Sequence, residues 1–209
     1  MSSTRVRPSR IVLVALLIVA ALVLVAVVAV TAPILLHRSA GGSGQEIPAD
    51  IVPETSARGA DGRVRTLSAF DENGPAKLDA VKPGEAIRIE GSGFDAGIGI
   101  YVAVCAIPEV TGAKPGPCLG GIPEGAETGD VDDSQLTSAW VTNDWAWRNF
   151  ATHRYADATA GDFSVTLTMP EASGEGLDCR ETRCAIATRA DHTAAADRVQ
   201  DLLLPIAYE

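Results

Sequence analysis

The 209-residue chain allows one or two domains, and a single core suits what remains once its N-terminal apolar segment and linker are set aside. Residues 1–40 contain four Arg and no acid, so the rest carries all 27 Asp and Glu against 13 Lys and Arg, a net charge of −14. A field of that sign repels phosphate and argues against a DNA- or RNA-binding surface.

From Ile11 to Val30, 20 consecutive residues are Ile, Val, Leu or Ala. As a helix rising about 1.5 Å per residue they span about 30 Å, the thickness of a bilayer's hydrocarbon core. So β-branched a run has modest helix propensity, but in lipid a helix satisfies every backbone group internally, and that need wins. Arg5, Arg7 and Arg10 precede the run, while only His37 and Arg38 follow it closely. This excess of positive charge holds the N-terminus in the cytoplasm and sends the rest across. The expected organisation is a cytoplasmic N-terminus at 1–10, a transmembrane signal anchor at 11–36, a flexible linker at 37–60 and an extracytoplasmic domain at 61–209. The rival is a cleaved signal peptide, with Val30-Thr31-Ala32 as its cleavage site, although the apolar run exceeds the usual stretch of about 7–15 residues. The linker is assigned because residues 39–60 are rich in Gly, Ser, Pro and charge, without hydrophobic periodicity.

Beyond the linker, period-2 alternation recurs between turn residues and predicts strands. Arg63–Phe70 supplies a first strand. Ile87 and Ile89 alternate with Arg88 and Glu90 between the Lys82-Pro83-Gly84 turn and Gly91-Ser92-Gly93. Ile100–Cys105, Trp140-Val141, Phe163–Met169, Cys184–Thr188 and Leu202–Tyr208 follow, with Pro205 marking the last as an edge strand. Thr193–Leu204 tolerates a short helix, but a loop followed by a strand is preferred. About seven short strands describe a two-sheet sandwich.

Cys105, Cys118, Cys179 and Cys184 all lie in the exported part, where an even number reads as disulfides. Three pairings are open. The local one, Cys105–Cys118 with Cys179–Cys184, closes two short loops, each worth about 2–3 kcal/mol. A metal site wants two-residue spacings and nearby His, and neither is present.

The stretch Val81–Ala106 (VKPGEAIRIEGSGFDAGIGIYVAVCA) resembles the early strands of the neocarzinostatin family, the apoproteins that carry enediyne antibiotics. Cys179–Cys184 (CRETRC) resembles that family's second cysteine pair, and Leu204–Tyr208 its final strand. A nearer likeness is to the immunoglobulin-like modules of actinobacterial cell-surface proteins, some of which follow haem-uptake domains. It is carried by Gly93-Phe94-Asp95, Gly99–Ala103, Cys118–Gly121 and Thr188–Thr193, with Asp197-Arg198 beyond. The resemblance implies an all-β, seven-stranded immunoglobulin-like (neocarzinostatin-like) β-sandwich behind a single transmembrane helix. The chain departs from the antibiotic carriers at Ile107, where they place a pocket tryptophan, and in an expanded acidic segment from Leu119 to Ala160.

Candidate chemistry concentrates in an aromatic cluster. Trp140, Trp145 and Trp147 fall within eight residues, followed by Phe150 and Tyr155. Aromatics over a concave sheet hold a flat hydrophobic ligand, so Trp145, Trp147, Phe150, His153 and Tyr155 are the candidate ligand-binding residues. The alternative puts Trp140 in the sandwich core with the others sealing its open end. Haem iron accepts His or Tyr, which makes His153 with Tyr155 a candidate haem contact; no other cofactor and no metal site is expected. For His192 the readings are orientation by the Asp191 carboxylate or a hydrogen-bonded turn fixed by Asp191, Thr193, Asp197 and Arg198. Glu124, Glu127, Asp130, Asp132 and Asp133 lack EF-hand spacing and read as a solvated acidic loop. No catalytic residues are expected: Ser164 has no base nearby in sequence, the cysteines are taken as oxidised, and no phosphate loop occurs.

The expected function is a non-catalytic, membrane-anchored cell-surface binding or interaction module. The alternatives are a carrier that sequesters an aromatic antibiotic and an accessory in haem capture. The expected partners are the membrane, through one helix, and either a small hydrophobic ligand or another envelope protein.

Overall fold

The apolar run forms one uninterrupted helix, α1 (Pro8–Leu36), in the computed structural model, which describes residues 8–121 and 135–209. Its Arg10–Leu36 stretch has a mean hydropathy of 3.6 over its most apolar 18 residues and is long and apolar enough to cross a membrane. The chain divides after His37, and Arg38–Glu209 is a second unit with its own core.

That unit is all β. Its strands among the described residues are β1 (Glu54–Arg58), β2 (Val64–Asp71), β3 (Gly74–Pro75), β4 (Ala86–Ser92), β5 (Ile100–Ala106) and β6 (Ser138–Val141). Then come β7 (Phe163–Thr168), β8 (Ser173–Gly174), β9 (Leu177–Asp178), β10 (Cys184–Ala190) and β11 (Leu202–Ile206). One sheet runs β1-β2-β4-β7 with β3 beside β2; a second runs β11-β10-β5-β6; β8 and β9 form a ribbon. All these strand pairs are antiparallel.

Alternation explains how the sheets meet. In β4, Ile87 and Ile89 are buried, and in β7 Phe163, Val165 and Leu167 are buried while Ser164 and Thr166 face solvent. These side chains share one core with Val102 and Val104 of β5, Ile186 of β10, and Leu202 and Leu204 of β11. Burying one such Ile or Leu contributes about 1.5–3 kcal/mol, so this shared core dominates the stability. Gly93 turns the chain out of β4 at φ +76°; a Cβ there would lie 1.9 Å from the Val64 carbonyl oxygen, so only glycine fits.

The count of seven strands is corrected. Each of the seven expected strands has a counterpart, but β1, β3, β8 and β9 were not foreseen. Three of these are two residues long, too short to show a period. The fourth, β1, lies inside the segment expected to be a flexible linker.

That expectation is corrected as well. All five residues of β1 pair with β2. The Ala40 N–H donates to Asp197 Oδ2 (2.9 Å), and Ala60 N–H donates to the Gly42 carbonyl (2.9 Å). The Gln45 side chain caps the free edge of β11: it accepts from Leu203 N–H (2.8 Å) and donates to the Leu203 carbonyl (2.9 Å) and Thr55 Oγ1 (2.9 Å). Pro205, two residues on, has no N–H to leave unpaired on that edge. Residues 38–60 are seated by backbone and amide hydrogen bonds, which need no hydrophobic periodicity.

Buried polar groups tie the loops at one end together. Arg65, 1% exposed, donates to both carboxylate oxygens of Asp61 (3.0 and 2.6 Å) and, through Nε, to Gln200 Oε1 (2.6 Å). Gln200 passes this on to the Asp95 carbonyl (2.9 Å). The Arg65 guanidinium holds the Asp61 carboxyl below its ordinary range.

Candidate binding site

The outer face of the four-stranded sheet is built in rows. Register places Arg189 of β10 beside Tyr101 of β5, and Tyr101 beside Trp140 of β6. The next row on the same face is Ala187, Ala103 and Ser138, with Leu203 of β11 beyond. Ala103, Ala185, Ala187, Cys105 and Leu203 form a small apolar cluster, covered in part by Ile47 and Cys118. Where that cover stops, a cavity of about 350 Å³ opens over Ala103. Tyr101 and Arg189 line one side, and Cys118, Leu119, Ser138 and Glu175 line the rest. Small side chains in the floor and a large ring in the wall leave this hollow.

The Cys105–Cys118 disulfide holds the covering loop to the end of β5, and Cys179–Cys184 ties the ribbon's exit to the start of β10. The Arg189 guanidinium carbon lies 5.8 Å from the centre of the Tyr101 ring. Lys114, on the covering loop, has its ammonium pushed below its ordinary range by partial burial and by the nearby charges of Arg189 and Arg198. The lining itself carries one charge of each sign, Arg189 and Glu175.

An aromatic brace holds the Tyr101 wall. Tyr101 Oη lies 2.9 Å from His192 Nδ1, and the His192 ring lies edge-on to Trp140 (5.2 Å) and Trp147 (4.8 Å). Burial, then the Asp191 charge, pushes the Tyr101 phenol up, so it stays protonated. Trp140 Nε1 donates to Asp191 Oδ2 (2.9 Å), while Asp191 Oδ1 accepts from the N–H (2.8 Å) and hydroxyl (2.5 Å) of Thr193. A Cβ on residue 99 would lie 2.0 Å from Asp191 Oδ2, so Gly99 is what lets the carboxylate reach the tryptophan.

The tryptophans and their neighbours separate by position. Trp140 stands on the outer face and does not fill the core, because strand parity turns Ala139 and Val141 inward instead. Trp147 packs on His192. Trp145 (62% exposed) and Phe150 (51% exposed) point to solvent, away from the cavity lining. Tyr155 is a core residue: its ring sits edge-on to Phe163 and its hydroxyl donates to the Ile98 carbonyl (2.9 Å). Burial raises that phenol strongly. The His153 backbone bonds Trp140 and Thr142, and its Nδ1 lies 3.1 Å from Thr152 Oγ1. The Tyr155 hydroxyl is thus engaged inside the core, while His153 is half-buried on the loop beside Trp140.

His192 is held by Tyr101, and the Asp191 carboxylate is spent on Trp140 and the Thr193 turn. Asp197 Oδ1 likewise accepts from Val199 N–H (2.8 Å) within the same loop. Ser164 is exposed on β7, opposite Glu90. Glu124, Glu127, Asp130, Asp132 and Asp133 lie outside the described residues. Among the described residues, no group of three His, Cys, Asp or Glu is arranged to hold a metal ion.

Sequence reasoning missed Tyr101 and Arg189 as site residues. The signal was present: both are large side chains at outward positions of strands whose other outward residues are Ala or Cys. Comparison with protein-family models, with curated proteins and with solved structures finds no match.

Proposed function

We propose that this chain is a non-catalytic binding module, displayed outside the cytoplasmic membrane on its N-terminal helix, and that the cleft on the outer face of the four-stranded sheet holds its ligand. The observation that carries this is the cleft itself, about 350 Å³ and walled by Tyr101 and Arg189. That volume falls within the range of about 300–1,000 Å³ common to small-molecule sites. A planar, partly apolar ligand bearing an anionic group suits it: the ring rests against Tyr101 and the anion meets Arg189. The two disulfides and the apolar helix support an oxidising, extracytoplasmic setting.

The strand order supports a neocarzinostatin-like immunoglobulin topology. Within it, β2, β4 and β7 take the places of strands A, B and E, and β11, β10, β5 and β6 those of G, F, C and C′. This favours a carrier of aromatic ligands as the more specific form of the proposal.

The test is a titration of the detergent-solubilised chain with 2-naphthoate and with haemin, followed by tryptophan fluorescence. Trp140 lies 5.8 Å from Tyr101 and reports on the cleft. Saturable quenching at micromolar 2-naphthoate, weakened about tenfold by Tyr101→Ala and by Arg189→Ala, is expected. A shifted haem absorption band moves the ligand class to porphyrins. No saturable response to either compound removes the small-molecule reading and leaves a protein partner.

A further inference from the structure

One wall of the cleft is the tip of the β8–β9 ribbon. Gly174 pairs with Leu177 there, which leaves Glu175 and Gly176 as a two-residue loop. Both have positive φ, +51° and +80°, as a type I′ turn requires. Glycine or asparagine meets that need with little strain, and glutamate does not. Glu175 is the one non-glycine residue at positive φ among the described residues. A carboxylate needed only for solvation gains nothing from such a position, whereas backbone strain of this kind gathers at binding sites.

The tip is fixed from two sides. Arg180 bridges Asp178 Oδ2 (2.9 Å) and Ser173 Oγ (2.9 Å) at the base of the ribbon, and Cys179–Cys184 ties its exit to β10. A Cβ on residue 121 would lie 2.8 Å from Glu175 Oε1, so Gly121 leaves the room that the carboxylate occupies. The backbone there is pinned in turn: Thr137 Oγ1 donates to the Gly120 carbonyl (2.8 Å) and Ser138 Oγ to the Gly121 carbonyl (2.8 Å). The Glu175 carboxylate is thereby held on the β6 side of the cleft.

Arg189 stands on the other side. It belongs to β10 and Ser138 to β6, with Ala103 of β5 as the floor between them. Two strand spacings are roughly 10 Å. The guanidinium leans over Tyr101 and makes one long hydrogen bond, 3.4 Å, to the Pro115 carbonyl. Among the described residues, no hydrogen bond or ion pair holds the Glu175 carboxylate. Two opposite charges on facing walls, neither neutralising the other, complement a ligand that carries both signs.

We propose that the cleft takes a zwitterionic aromatic ligand, with its anion on Arg189, its ring against Tyr101 and an ammonium group on Glu175. Such a ligand, which presupposes that the cleft is the small-molecule site proposed above, lies across β5 with its anion toward β10 and its cation toward β6. Glu175 also discriminates against a dianion, whose second charge it repels.

The experiment titrates the detergent-solubilised full chain with 2-naphthoate, 6-(aminomethyl)-2-naphthoate and naphthalene-2,6-dicarboxylate, followed by tryptophan fluorescence. Ring and carboxylate are common to the three probes, and only the group that meets Glu175 changes. The zwitterion is expected to bind about fivefold more tightly than 2-naphthoate and the dianion about fivefold more weakly, the effect of one partly exposed charge pair. In Glu175→Gln the three affinities converge to within about twofold. Glu175→Asn, which suits the left-handed turn, loses the same discrimination and melts above the parent, so the loss is not one of folding. Saturable binding of 2-naphthoate with no preference for the zwitterion overturns the proposal and leaves the cleft as a small-molecule site. A preference that survives Glu175→Gln does the same. No saturable response to any of the three probes overturns both the cleft and its charge pair.

Discussion

On the five-stranded sheet, β7 buries Phe163, Val165 and Leu167 and exposes Ser164 and Thr166; on the four-stranded sheet, β10 is buried without a break from Cys184 to Thr188. The first pattern is a sheet with one wet face. In the second, Ala185, Ala187 and Leu203 point outward and are still covered, by Ile47 from the entering segment and by the Cys118 loop. A sheet apolar on both faces needs a cover, and the place where the cover ends is the natural place for a ligand. Here that place is the cleft beside Tyr101.

The largest expected break in this contrast comes from a charge on each outer face. Ala187→Glu puts an unpaired carboxylate under Leu203 and Ile47 and is expected to cost about 3–5 kcal/mol. Thr166→Glu, exposed and opposite Arg88, is expected to stay within about 0.5 kcal/mol. Urea midpoints of the two variants check this; equal losses would mean the two faces are not different.

Removing the cover's staple comes next. Replacing Cys105 and Cys118 by Ala opens a 13-residue closure and is expected to cost about 3 kcal/mol. The Cys179–Cys184 pair, with a separation of 5, is expected to cost about 2 kcal/mol. Thermal melts of the two double variants rank them.

A pH-dependent effect follows at Asp201, 7% exposed beside the start of β11. Burial, outweighing its ion pair with Arg198 at 2.8 Å, pushes the carboxyl up to about 7. The folded state therefore holds this proton where the unfolded chain has lost it. The stability it contributes is present at low pH and falls as pH rises from about 4 to 7. Asp201→Asn is expected to match the parent near pH 4 and to gain on it as pH rises, by about 3–4 kcal/mol at pH 8. Melts at pH 4 and pH 8 measure it.

The smallest loss expected of a buried contact is that of Gln45→Ala, which removes both bonds to the Leu203 backbone at a cost of about 1–2 kcal/mol. Faster hydrogen exchange at Leu203, with β7 unchanged, would place the loss at the covered edge.

Much of this architecture is legible in the residues. An unbroken apolar run dictates α1, because only a helix hides its own polar backbone in lipid. Strands such as β4 and β7 announce themselves because one face is wet and the other dry. Pro205 identifies β11 as an edge because it cannot donate to a neighbour. What the sequence could not settle was anything decided by contact across the fold. Glu54–Arg58 has no hydrophobic period, yet it pairs fully with β2 because backbone groups recognise backbone groups. Trp140, Trp145 and Trp147 are the same residue type within eight positions, and each was given a different environment by strand parity, a packed loop or solvent. Tyr155 looked like a ligand contact and became core, while Tyr101 looked like a strand residue and became the cleft wall. Local pattern is set by the solvent each residue meets along its own strand; the site is set by which strands lie side by side, and that is a property of the folded chain.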